Sequence, residues 1–196
     1  MYIYGDSHID FLSSGLSAYE INNTQGWFYK VIERYLELFL QDDMIISLNT
    51  NLVFGLDTVL VPFLLDRYPK SFSVNIYLPH DDYLRNIYGK AREVLFKTQE
   101  ILVNKYSAKI HYSYLADDLE GINILQRKEF DKCAKKMARQ NALKDSSFVL
   151  VVSNLSSSKI NRLFFSELSK NVRPIVYLDY TTKSFQLLDC LDAENN

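Results

Sequence analysis

The sequence is poor in cysteine, has no long apolar run and carries no charge imbalance, and each shortage removes a class of function. Its two cysteines, Cys133 and Cys190, lie far apart and fit no CxxC or zinc-ligand spacing. That pattern argues for a reducing compartment, for buried or incidental thiols and against a metal site. No stretch approaches the roughly 20 apolar residues of a membrane-spanning helix. Asp6 and Asp10 stand where a signal peptide would carry basic residues ahead of an apolar segment. The expected location is the cytoplasm, with no membrane partner. Acidic and basic residues nearly cancel, 24 against 22, leaving a formal net charge of -2. A general nucleic-acid binder would be basic and a disordered chain would be short of apolar residues, so nucleic acid is not an expected partner. An anionic ligand would have to be held by local groups.

What is present suits one substantial core: 196 residues with 47% hydrophobic content. The expected unit is a single domain over residues 1–188, followed by a solvated tail over 189–196. Residues 2–4 are β-prone and end at Gly5, with a long loop to Gly26. Trp27 to Gln41 repeats apolar residues at helical spacing. Strands are expected over 44–48, 72–78, 108–114, 148–152 and 174–178, with Asn49 to Asn51 as a polar turn and Pro79 as a strand stop. Helices are expected over 55–68, kinked at Pro62, then over 88–106, 126–144 and 156–170. Residues 184–188 would add an edge strand. Strands alternating with helices imply βαβ units and right-handed crossovers: a three-layer, Rossmann-like α/β fold with a mainly parallel sheet and helices on both faces.

In such a sheet, ligands gather at the carboxyl ends of the strands, where loops lead into helix N-termini with free amide donors. Four loops there are rich in polar residues: Gly5 to His8, Asn49 to Asn51 with Gly55 to Thr58, Pro79 to Asp82, and Ser153 to Lys159. Arg139 and Asn141 would clamp a phosphate or ribose, although their helix, with Lys132, Lys135 and Lys136, equally reads as a solvated basic face. Asp57 would accept from a ribose hydroxyl or simply favour its helix dipole. Ser156, Ser157, Ser158 and Lys159 read as an anion loop or an ordinary N-cap. His8 and His80 are acid or base candidates, Asp81 and Asp82 a carboxylate pair or a plain turn, and Tyr83 and Tyr88 are the tyrosines placed to stack a base.

The order of these features resembles the SLOG superfamily in its YpsA-like branch over roughly residues 2–178. Carrying the resemblance are Gly5 after the first strand, Gly55, Asp57 and Thr58 entering the second helix, and Leu78-Pro79 ending a strand. Arg139 and Asn141 then precede Asp145-Ser146-Ser147, and Ser156 to Ser158 stand at the family's phosphate loop. The family's paired glycines before Gly55 are here Asn51 and Leu52, and the glycine after the fifth strand is a serine. The Pro-Gly-Gly-x-Gly-Thr-x-x-Glu signature of the phosphoribohydrolase branch does not occur.

The resemblance implies a nucleotide or ADP-ribose-like small molecule as partner, bound by Gly5, His8, Asn51, Gly55, Asp57, Thr58, His80, Arg139, Asn141 and Ser156 to Lys159, without turnover and with no cofactor. One alternative is a hydrolase or transferase at an N-glycosidic or phosphate bond, with Asp57, Asp81 or Glu167 as its carboxylate. Another is a decayed site whose fold serves protein interaction, with Leu52 and Phe54 filling the pocket. The aromatic surplus is compatible with a homodimer but locates no interface.

Overall fold

The structure is a computed structural model that describes residues 1–5, 30–34, 36, 45–115, 124–153, 174–179, 182 and 184–188. Among these, β1 (Tyr2–Gly5), β2 (Ile46–Thr50), α1 (Leu56–Arg67), β3 (Phe72–His80), a 3-10 turn (Tyr83–Asn86), α2 (Lys90–Tyr106), β4 (Lys109–Tyr114), α3 (Ile124–Lys144), β5 (Val149–Ser153), β6 (Ile175–Asp179) and β7 (Ser184–Leu188) follow in order. Residues 30–34 and 36 are also helical. The expected helix over 156–170 and the tail over 189–196 lie outside the described residues, as does the rest of the 27–41 segment.

The strands form a seven-stranded sheet in the order β4-β3-β2-β1-β5-β6-β7. Every pairing is parallel except β6 with β7. From central β1 the chain steps outward through β2, β3 and β4, then returns to β1's other side for β5, β6 and β7. The direction reverses between β1 and β5, and the carboxyl ends around such a reversal are where an open α/β sheet leaves a crevice.

Side chains alternate across the sheet and so build two cores. On one face Ile3, Leu48, Ile76, Leu150 and Val176 pack with Leu60 and Leu64 of α1, Leu95 and Leu102 of α2, and Ile32 and Leu36. On the other, Tyr2, Tyr77, Val149, Val151, Ile175 and Tyr177 meet Ala142 and Leu143 of α3. Ala134, Ala138 and Ala142 form one i, i+4 row, all buried, so α3 presents small residues to a sheet face carrying tyrosines. Helices thus cover both faces. β5 and β6 are apolar along almost their whole length because each is buried on both sides.

Two local expectations are corrected. β2 continues through Asn49 and Thr50, both fully buried, because partners within the fold satisfy their polar groups. Pro79 does not stop β3, which reaches His80. β2 pairs last at Thr50 with Ile76, while Leu78 and His80 still pair with β4 on the other side, so a residue without an N–H is tolerated there. α1 covers the expected helix from Leu56 to Arg67, with Pro62 inside it. Cys133 is exposed on α3, since the buried row of that helix passes through Ala134.

Candidate functional site

The site begins where β2 ends. Thr50 donates its hydroxyl to Asp57 Oδ2 at 2.8 Å and accepts the Leu52 N–H at 2.9 Å, while the Val53 N–H donates to the same Asp57 oxygen at 3.2 Å. These bonds fold residues 50–57 into a tight connection between β2 and α1. Leu52 bends through the left-handed region at φ 52 and Gly55 through φ 138. Any side chain at Gly55 would be strained. Asp57 is 3% exposed, and burial pushes its carboxyl up to about 6 from the usual 3.8, against the lowering effect of the Thr50 and Val53 bonds. Both bonds fall on Oδ2.

A second chain of bonds ties the same corner to its neighbours. The Tyr2 phenol donates to Asn51 Oδ1 at 2.6 Å, and Asn51 Nδ2 donates to the Tyr77 carbonyl at 2.8 Å. Asn51 thereby satisfies a β3 carbonyl just past the last residue of β2, and the strands part to leave a hollow.

That hollow is an open cavity of about 190 Å3. Ile3, Asn51, Val53 and Asp57 form its floor, Pro79 and Tyr83 one side, and Lys135, Ala138 and Arg139 of α3 the other; Tyr2 also reaches it. It therefore sits beside β1 at the carboxyl ends of β2 and β3. Lys135 Nζ lies 5.4 Å from the centre of the Tyr83 ring, and burial raises the Tyr83 phenol above its usual range, helped by the Asp131 charge. Chemically the wall combines a buried carboxyl with two cations, a set suited to a ligand that pairs hydroxyls with an anionic group.

Of the residues singled out from sequence, Asn51, Asp57, Tyr83 and Arg139 line this cavity. Gly5 ends β1 beside Val152 of β5, and Gly55 shapes the turn beneath the cavity. Thr58 is half-buried and donates to the Gly55 carbonyl at 2.7 Å, a bond that secures the start of α1. His80 is 1% exposed at the end of β3. Asn141 and Tyr88 are exposed and do not line the cavity. Asp81 and Asp82 form a turn, and Asp82 pairs with Arg85 at 2.9 Å. His8, Ser156, Ser157, Ser158, Lys159 and Glu167 lie outside the described residues.

Asp145-Ser146 has a structural task. Asp145 Oδ2 accepts the Tyr77 phenol at 2.6 Å, and Ser146 Oγ accepts from Asn49 Nδ2 at 2.7 Å, bracing the end of α3 against β2 and β3. Sequence reasoning left out Tyr2 and treated Lys135 as a member of a basic face. The i, i+4 spacing of Lys135 and Arg139 was the available signal, since it places both on one row of the helix. Among the described residues, no cluster of three or more His, Cys, Asp or Glu could hold a metal ion, and no helix is long and apolar enough to cross a membrane. No protein-family model matches the chain, and no curated protein matches it either.

Proposed function

We propose that the cavity binds the phosphorylated sugar portion of a nucleotide-derived, ADP-ribose-like ligand, in a sensory or carrier role without turnover. One observation carries the reading: an open cavity at the carboxyl ends of the central strands sets a buried carboxyl, bonded through one oxygen only, among a lysine and an arginine from a single helix row. Lys135 and Arg139 neutralise phosphate, and Asp57 accepts a ribose hydroxyl. The filling expected of a decayed site is not observed, because Leu52 is fully buried in the core, Phe54 packs against it, and neither lines the cavity.

The test is the melting temperature of nucleotide-free protein with AMP, ADP, ADP-ribose or NAD. Binding raises it by an amount that follows ligand concentration. Lys135→Ala and Arg139→Ala each remove most of that rise, and higher salt weakens what remains. If no ligand at millimolar concentration moves the melting temperature, the reading fails.

A nucleotide-processing hydrolase or transferase has one observation in its favour, the Asp57 carboxyl pushed up to about 6, which suits acid–base work near neutral pH. Chromatography of the bound ligand after prolonged incubation separates the two: intact ligand supports binding alone, and a liberated base or phosphate supports catalysis.

A further inference from the structure

Among the described residues, the buried side-chain polar atoms without a hydrogen-bond partner are His80 Nδ1 and Asp131 Oδ1. They belong to residues that face each other. His80 Nε2 on β3 lies 3.5 Å from Asp131 Oδ1 on α3, too far for a good hydrogen bond. The His80 side chain is 1% exposed and that of Asp131 40%. A buried histidine kept for stability would be hydrogen-bonded or replaced by an apolar residue; His80 has its half-exposed partner just out of reach.

Its position relates it to the cavity. Pro79 and Tyr83, on either side of His80 in sequence, line that cavity, and His80 meets the Tyr83 ring edge-on at 5.9 Å and 85°. Asp131, Lys135 and Arg139 stand at i, i+4 and i+8 of α3 and share one row. Lys135 lies against the other partner of the cluster, the Tyr83 ring. A small inward movement of this part of α3 would bring the two cations deeper into the cavity and Asp131 onto His80 together.

We propose that His80 and Asp131 are a positioning pair for the basic row of α3: a phosphorylated ligand that draws Lys135 and Arg139 inward closes the gap to a hydrogen bond of about 2.8 Å, and this bond adds to the ligand's affinity. The inference rests on the binding function proposed above. Neither residue needs to touch the ligand. Because coupling is reciprocal, whatever the ligand contributes to closing the pair, the pair returns as tighter binding.

Calorimetric titration with ADP-ribose and with inorganic phosphate tests it, with melting temperatures alongside. His80→Phe fills the same space without nitrogen. It weakens binding about tenfold, the size of one charge-assisted hydrogen bond, while the melting temperature of the free protein holds or rises because an unsatisfied atom is gone. His80→Gln, which returns an amide near the Nε2 position, recovers most of the affinity. Asp131→Ala, at a half-exposed helix position that tolerates truncation, weakens binding to the same degree, and His80→Phe/Asp131→Ala is no weaker than either single variant. Wild-type binding with unchanged affinity in Asp131→Ala overturns the positioning role alone, as do losses that add in the double variant or affinity that falls only in step with melting temperature. Wild-type protein that binds neither probe overturns this inference together with the function on which it rests.

Discussion

Thr50 holds Asp57 by a 2.8 Å hydrogen bond between two buried side chains, one ending a strand and the other in the first turn of a helix. The bond favours the ionised carboxyl, yet burial outweighs it and the Asp57 carboxyl stands at about 6 instead of 3.8. The folded state thus holds this proton more tightly than the unfolded chain. The associated stability is present below about pH 4, is lost as pH rises from about 4 to 6, and leaves folding at neutral pH weaker by roughly 2–3 kcal/mol. Asp57→Asn keeps an acceptor for Thr50 and Val53 and cannot ionise. Its melting temperature at pH 7.5 should exceed wild type by about 4–12 °C, the gap should shrink toward pH 4, and nucleotide-induced stabilisation should fall. Denaturation curves between pH 4 and 8 check this; an Asp57→Asn protein less stable than wild type at pH 7.5 contradicts it.

Asn49 fastens three elements at once. Its Nδ2 donates to Ser146 Oγ at 2.7 Å and to the Asp145 carbonyl at 3.0 Å, and its Oδ1 accepts from Asn75 Nδ2 at 3.0 Å. With the side chain fully buried, Asn49→Leu would break all three bonds and leave the buried Ser146 hydroxyl without this donor, and should cost about 2–4 kcal/mol by urea denaturation. Asn49→Asp should cost at least as much, since it turns a carboxylate toward the Asp145 carbonyl.

The layer order was legible because the signals were local and repeated. Val149 to Val152 and Ile175 to Leu178 are apolar runs of strand length, and the alternation in Phe72 to Leu78 matches β3's burial up to Ile76. Boundaries failed where tertiary partners override local chemistry. Asn49 and Thr50 look like turn residues until Ser146, Asn75 and Asp57 supply their bonds. Pro79 looks like a stop until β2 is seen to end three residues earlier in register, at the level of Ile76.

The cavity was half legible. Asp57 and Arg139 follow from the rule that ligands sit at strand ends and helix rows, and Asn51 from its loop. Tyr2 was not, because a β-prone residue at the start of a strand gives no hint that its phenol reaches Asn51, 49 positions later. The His80–Asp131 pair was equally hidden. It joins a strand end to a helix separated by β4 and α2, and only register and crossover bring the two together.

Tyr2 and Asn51 therefore offer a direct measure of how the cavity floor is held. Tyr2→Phe leaves Asn51 Oδ1 without its donor, while Asn51→Ala leaves both the phenol and the Tyr77 carbonyl without Asn51. Each should cost about 1–2 kcal/mol, and the double variant should fall short of the sum by about 1 kcal/mol, the worth of the shared bond. Strict additivity in the cycle would mean that the bond contributes nothing. Asn51→Ala alone should also weaken nucleotide binding, since Asn51 faces the cavity.

Leu52 occupies a position where the resemblance expects glycine, and it adopts the left-handed backbone that glycine favours, with φ 52. The conformation costs a leucine roughly 1–2 kcal/mol, but the side chain is fully buried in the core beneath α1, where its removal costs about 2–5 kcal/mol. Packing is the larger effect, so Leu52→Gly should be less stable than wild type despite relieving the strain. Leu52→Ala loses similar packing and keeps the strain, and should be less stable again, by about 1 kcal/mol. Chemical denaturation of the two variants orders the effects: glycine above alanine and both below leucine. Glycine above leucine would mean that backbone strain, not core packing, governs this turn and the Asp57 carboxyl it positions.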